Sequence, residues 1–354
     1  MFRKLNEHLD DGKIMNKYMN LKIDPCNDFY EFACGNWKKY FSIPPDRSSY
    51  DTFEMARENL DYALRDLLDN VEENPVNSTY YFPSNFIERN FLPNDTSDAI
   101  IKAKKFYKSC MQEDIIKKRG DKPLREILGR IGGWPIISDS WDDPDFDVIW
   151  LLATLRLLNN DVLIAQWIGP DMKNSNEYIV HIDQPTLGLP SREYYLNVSN
   201  IKYVRAYKVF LLTVATIMGA RPNIAERDAE EILQFEVQLA EIMASVEERR
   251  NISDIYLRTD IASLTLYFPQ FNWKEYFTIV LGTDINLKTP VACYCARYLH
   301  ELLYLLSNTE PRILQNYLIW RFVRHRTNSL VLDCTEWSNQ KSKQRVHFSL
   351  NYTV

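Results

Sequence analysis

Apolar residues recur at three- and four-residue intervals along most of this 354-residue chain, the spacing that gathers them on one face of a helix. Phe53, Leu60, Leu64, Leu67 and Val71 predict a long amphipathic helix over Ser49–Glu72, opened by a capping box at Ser48-x-x-Asp51. Ile100, Ala103, Tyr107 and Cys110 predict a second over Ser97–Lys118. Others follow at Ile149–Asn159, Tyr203–Met218 and Ile224–Val246. In the last, Ile232, Phe235, Leu239 and Ile242 line one face, and Glu230, Glu231, Glu236 and Glu241 read as a solvated acidic face. One segment, Tyr178–Leu189, reads instead as a strand running into a turn. The pattern predicts a mainly α fold with a minor β element near 178–189.

Breaks divide the chain. Ile43-Pro44-Pro45 stops a helix, and the Asn- and Pro-rich stretch Glu73–Pro93 reads as an exposed loop. The longest apolar run, Phe210–Ala220, is shorter than the roughly 20 residues a membrane helix needs. Met1–Asp24 carries Arg3, Lys4, Glu7, Asp10, Asp11 and Lys13, so no signal peptide or anchor is expected within it. A net charge of −6 argues against a nucleic-acid or anionic-membrane surface. Six cysteines are too few for a disulfide scaffold. Five sequons, at Asn77, Asn94, Asn197, Asn251 and Asn351, lean toward a secreted or luminal chain.

The densest stretch is Asp24–Trp37, D-P-C-N-D-F-Y-E-F-A-C-G-N-W. Phe29, Tyr30, Phe32 and Trp37 each bring about 150–250 Å² of surface, so they are expected to bury together, with Cys26 and Cys34 placed to lock the cluster. Pro25, Cys26, Asp28, Phe29, Tyr30, Phe32, Ala33, Cys34, Gly35 and Trp37 follow without departure the N-terminal signature of the neprilysin family of zinc endopeptidases, which this chain resembles. The likeness continues through Ile43, Pro44, Ser48, Tyr50, Phe53, Glu54 and Arg57, then A-x-x-F-Y-x-S-C-M from Ala103, and Gly132-Gly133-Trp134-Pro135. It resumes at Asp183-Gln184-Pro185-x-Leu187-Gly188-x-Pro190-Ser191-Arg192-x-Tyr194-Tyr195, Phe271-Asn272-Trp273 and Leu314-Gln315-Asn316-Tyr317-Leu318-Ile319-Trp320-Arg321. It runs from about residue 14 to about 329.

The resemblance implies a multi-helical capping lobe of a two-lobed peptidase that encloses oligopeptides and cleaves them on the amino side of hydrophobic residues. It divides the chain into a polar lead-in (1–23), the signature and substrate-wall helix (24–72), the capping domain (73–329) and a divergent polar tail (330–354). It implies substrate-binding roles for Glu54 and Arg57. The family's carboxylate-gripping arginine is Ser49 here; Arg47, two residues earlier, would stand roughly 200° around a helix from it. The plain reading of Glu54 and Arg57 is a solvated i,i+3 ion pair. The resemblance also implies that Cys26, Cys34 and Cys110 pair with cysteines of the catalytic half, and that the N-terminal end lies in an extracellular or membrane-anchored ectodomain.

The zinc chemistry itself is not written here. A zincin needs H-E-x-x-H on one helix, and the nearest approach is His300-Glu301-Leu302-Leu303-Tyr304. His181 and Asp183 are two apart on the predicted strand, and two ligands do not make a structural zinc site. Cys293-x-Cys295 is too sparse for metal and reads as two buried thiols. Arg321, Arg324, His325 and Arg326 read as a basic helix C-terminus. No catalytic residue, metal ligand or cofactor is therefore assigned to this chain; zinc belongs to the complete family member. The expectation is an inactive or incomplete form of a peptidase, with a secreted peptide- or partner-binding decoy as the alternative. Orphaning the aromatic signature is expected to leave apolar surface exposed, open to association, as are the unpaired cysteines.

Overall fold

A computed structural model describes residues 12–44, 49–69, 98–138 and 140–327. The chain divides into two compact units, meeting in sequence between Gln112 and Glu113.

The first unit is a set of helices. Residues 12–18 are helical. They are followed by α1 (Phe29–Cys34), α2 (Trp37–Tyr40), α3 (Thr52–Asp69) and α4 (Asp98–Cys110). The Asp28 carboxylate caps α1 by accepting from the Glu31 N–H at 2.9 Å. The Asp51 carboxylate accepts from the Glu54 N–H at 2.8 Å, so α3 begins at Thr52, three residues later than its apolar spacing predicts. Aspartate supplies that cap because its short side chain reaches the orphan donors of a first turn. Helices α3 and α4 pack together, and the Tyr107 hydroxyl bonds to Asp69. The predicted helix over Ser97–Lys118 is interrupted at 111–112 and restarts as α5 (Glu113–Arg119), in the second unit.

The signature aromatics cluster only in part. Trp37 stacks on Phe41 at 4.9 Å, with Tyr18 edge-on to Phe41 at 6.0 Å. Phe29 and Tyr30 instead stand 69% and 75% exposed, and Phe53 81%. The expectation that Phe29, Tyr30, Phe32 and Trp37 bury together is corrected: the six-residue α1 has no buried side chain, and within this chain the signature leaves apolar surface exposed.

The second unit holds the core. After α5, its helices are α6 (Lys122–Arg130), α7 (Val148–Leu157), α8 (Glu193–Leu196), α9 (Ile201–Ile217), α10 (Pro222–Ile242), α11 (Ile252–Ile255), α12 (Ile261–Tyr267), α13 (Trp273–Leu281), α14 (Ala296–Ser307) and α15 (Pro311–Arg326). Pro222 and Pro311 stand at the starts of α10 and α15, where a missing N–H costs nothing. A four-stranded sheet is set among them: β1 (Ala165–Pro170), β2 (Tyr178–Asp183), β3 (Leu257–Asp260) and β4 (Pro290–Cys293), in the order β1-β2-β4-β3. β1 and β2 form a hairpin, Ala165 opposite Asp183 and Pro170 opposite Tyr178. β4 runs parallel to β2, Val180 beside Val291, and antiparallel to β3.

Helix α15 lies at the centre, every residue from Leu314 to Val323 buried. Its Trp320 stacks on Trp134 at 6.2 Å and donates to the Tyr207 hydroxyl at 2.7 Å. The glycine pair before Trp134 makes this possible. Gly132 and Gly133 take φ of +90° and +76°, a region that favours glycine. Gln315 then donates from Nε2 to the Gly133 carbonyl at 2.9 Å, and Asn316 Oδ1 accepts from the Ile136 N–H at 2.9 Å.

Candidate functional site

On α3, Glu54 and Arg57 form an i,i+3 ion pair at 3.2 Å, their side chains 17% and 39% exposed. One turn on, the Tyr50 hydroxyl donates to Glu58 Oε2 at 2.6 Å. Arg57 thus presents a partly solvated guanidinium whose charge Glu54 offsets. Arg47 lies outside the described residues, as do Asn77 and Asn94. Asn197 and Asn251 are exposed, and each folds back on its own sequon: Asn197 Oδ1 accepts from Ser199 N–H at 3.0 Å and Ser199 Oγ at 2.9 Å, and Asn251 Oδ1 from Ser253 N–H at 3.3 Å.

No described histidine is placed as a metal ligand would be. His181 is buried, with its ring parallel to those of Trp167 and Tyr294, which also lie parallel to each other at 6.0 Å. Both its nitrogens are engaged, Nδ1 with Tyr294 Oη and Nε2 with the Gly169 carbonyl, each at 3.1 Å. Asp183 holds Arg249 through two bonds of 2.7 and 2.5 Å. His300 and Glu301 are exposed on α14, and Tyr304 is 69% exposed. Among the described residues no three His, Cys, Asp or Glu side chains converge on a point. The donor set does not fit a zinc ion.

Cys26, Cys34 and Cys110 carry free, exposed thiols, whereas Cys293 and Cys295 are buried.

The D-Q-P-x-L-G block is a structural clamp. Gln184 bonds Ala244 twice, donating from Nε2 to its carbonyl at 3.0 Å and accepting from its N–H at 2.9 Å. The Gly188 N–H donates to Glu236 Oε1 at 2.8 Å, and a Cβ on Gly188 would collide with the Tyr207 hydroxyl. Arg321 completes this cluster, donating to Glu236 Oε1 at 3.3 Å, Tyr317 Oη at 3.0 Å and the Thr186 carbonyl at 2.8 Å.

Two expectations are corrected here. Glu236 is fully buried, so the acidic run on α10 is not wholly solvated. It stands four residues after Ile232 and three before Leu239, on the helix's apolar face. Arg321 is likewise interior, and only Arg324, His325 and Arg326 form the basic last turn. Two further polar clusters gave no sequence signal. Asp228 is gripped by Arg312 at 2.7 Å and Asn316 at 2.9 Å, with Glu231 also bound to Arg312. Asp171 accepts from the Tyr256 hydroxyl and pairs with Arg258 at 2.9 Å.

Residues 25–346 match the N-terminal model of peptidase family M13. Membrane metallo-endopeptidase-like 1 of Homo sapiens is 35% identical over 332 residues, which cover 88% of this chain and 39% of that protein. Endothelin-converting enzyme 1 of Cavia porcellus is 31% identical over 322 residues, covering 90% and 40%. The chain therefore spans about two fifths of the length of these relatives. Among solved structures, the Mycobacterium tuberculosis zinc metalloprotease Zmp1 superposes with a TM-score of 0.71 at 20% identity, over 92% of this chain and 46% of that one. PepO from Lactobacillus rhamnosis HN001 gives 0.56 at 14% identity, over 84% and 42%. These structures share the fold, and the match of the family model over most of the chain shows that it belongs to peptidase family M13, matching its N-terminal region.

Proposed function

We propose that this chain forms the non-catalytic, N-terminal half of a neprilysin-like zinc endopeptidase. In the complete enzyme it would wall and cap a cavity in which oligopeptides are cut on the amino side of hydrophobic residues. The carrying observation is the match over residues 25–346, combined with a 354-residue sequence containing no H-E-x-x-H. The zinc ligands would then be supplied by residues beyond these 354. Glu54, Arg57 and Arg47 line the substrate wall in this reading, and Cys26, Cys34 and Cys110, exposed as thiols, are the points that disulfides to the catalytic half would use. Asn197 and Asn251 would carry glycans, with Asn77 and Asn94, on an extracellular or membrane-anchored ectodomain.

Hydrolysis of a quenched oligopeptide with a hydrophobic residue after the scissile bond tests this. The 354-residue chain supplied with zinc is expected to be inactive. The same chain extended by a family catalytic half is expected to cleave, and a chelator to abolish the cleavage. Chelator-sensitive hydrolysis by the 354 residues alone would overturn the proposal.

A further inference from the structure

We propose that the basic run Lys117-Lys118-Arg119-x-x-Lys122, carried where α5 passes into α6, is a docking site for a sulfated polysaccharide. Between Lys117 and Arg130 six cations stand against two carboxylates, Asp121 and Glu126, in a chain whose net charge is −6. Short Lys/Arg-rich runs of this kind are the footprint of a polyanion. The four cations of the run are all exposed. Asp121, the one acid within the run, is taken: Arg125 donates to it from Nε at 2.8 Å and to the Met218 carbonyl from Nη2 at 2.9 Å. Lys117 has a partner of its own within the chain. No ion pair holds Lys118, Arg119 or Lys122 among the described residues, so three positive charges face solvent without a carboxylate.

Helix electrostatics explain only part of the run. Lys117, Lys118 and Arg119 fill the last turn of α5, where cations are favoured. Lys122 is the first residue of α6, where the dipole opposes a cation, so helix stability gives no reason for it. The turn between them is fixed at both ends. Gly120 takes φ of +55° and its N–H donates to the Ile116 carbonyl at 3.0 Å, and Pro123 locks the start of α6. Arg119 and Lys122 are three residues apart, so their Cα atoms lie within about 11 Å of each other before any ligand arrives, and such preorganisation lowers the cost of binding. An exposed ion pair is worth little singly, so a ligand with one anionic group gains little here. A linear polyanion that meets all three cations also releases the counterions condensed along it, and its affinity grows with each contact. Anionic lipid, the other surface that basic runs meet, lines the cytoplasmic leaflet. The choice of polysaccharide over lipid rests on the extracellular reading above; the basic run itself does not.

Calorimetric titration of the full chain with heparin across a salt series tests this. Phosphatidylserine vesicles and hyaluronate, a polysaccharide with carboxylates and no sulfate, are the comparison ligands. Wild type is expected to bind heparin in preference to both. Lys118→Gln, Arg119→Gln and Lys122→Gln together are expected to weaken heparin binding at least about tenfold, and to lower the slope of log affinity against log salt by about two to three. The same loss of charge at three exposed lysines elsewhere, Lys202→Gln, Lys274→Gln and Lys288→Gln, is expected to leave binding unchanged. The proposal is overturned if heparin does not bind, if the two triple variants weaken equally, or if hyaluronate or the vesicles bind as well as heparin. Vesicle binding in place of heparin would count against the extracellular reading too, whereas loss of the heparin result alone leaves that reading standing. None of these readouts depends on peptidase activity.

Discussion

Arg321 and Glu236 meet at 3.3 Å in the middle of the second unit, both side chains removed from solvent. Removing one member of such a pair leaves the other charged, buried and unpartnered, which costs about 3–5 kcal/mol. Arg321→Met is expected to destabilise by that amount in denaturant unfolding. Arg321→Met with Glu236→Gln together is expected to cost less than the two single losses summed, because the orphaned charge is gone. Additive losses would mean the two residues act independently.

Gly188 lies against the same cluster. Gly188→Ala is expected to destabilise by about 1–3 kcal/mol, since the added methyl must displace the Tyr207 hydroxyl from a packed core. Coupling it with Tyr207→Phe should recover part of the loss. If Gly188→Ala matches wild type in its unfolding midpoint, the close approach is not what the structure indicates.

The Asp171–Tyr256 bond makes stability depend on pH at both extremes. The Tyr256 hydroxyl, the Lys173 N–H and Arg258 hold the Asp171 carboxyl below the usual carboxylate range. Its contribution is complete above the unfolded value of about 3.9 and is lost as pH falls through the lower folded one. Burial and the bond to Asp171 raise Tyr256 to about 12. The unfolded tyrosine ionises near pH 10, so the folded state binds the extra proton from there to about 12, and stability declines across that window. Tyr256→Phe is expected to flatten the alkaline decline and shallow the acid one, read as unfolding midpoints across pH. A variant with an unchanged profile would contradict the assignment.

Thiol reactivity should divide the cysteines. Under reducing conditions, native alkylation is expected to be fast at Cys26, Cys34 and Cys110 and slow at Cys293 and Cys295, whose modification waits on opening of the sheet. Peptide mapping over time measures this, and equal rates at all five would refute the burial described.

In the chain extended by a catalytic half, Arg57→Ala is expected to raise KM roughly tenfold with kcat little changed, as loss of a charged contact made equally in ground and transition states would do. An unaffected KM would reduce Glu54 and Arg57 to the surface ion pair that their spacing alone suggests.

What the sequence disclosed follows from which signals are local. The apolar spacing of Ile232, Phe235 and Leu239 locates α10 to within a few residues, and the Gly132-Gly133-Trp134-Pro135 turn is legible because its glycines meet a local backbone demand. The spacing of α15 carries less, because a helix buried on all sides has no polar face to set a period. Arg321 reads as part of a basic helix end, and nothing local marks Gln315 or Asn316 as buried, until their partners, about 80 to 180 residues away, are in place. Strands β3 and β4 have four residues each, too few for an alternation to register. At the candidate site, the Glu54–Arg57 pair was visible as an i,i+3 spacing. The engagement of His181 by Tyr294 and Gly169 was not, since neither partner is near it in sequence.

The parallel pairing of Val180 with Val291 carries a consequence for the nascent chain. β2 leaves the ribosome with only its hairpin partner β1 available, and its other edge stays open until β4 emerges. At about 5–20 residues per second the wait is roughly 5–20 s, and α15 must still follow to supply Arg321 to Glu236. Throughout that interval Ile179, Val180 and Ile182 present an unpaired, apolar strand edge, the kind of surface that recruits other chains. The order of synthesis thus makes β2 the strand of this unit that stays open to off-pathway pairing longest, until β4 covers its free edge.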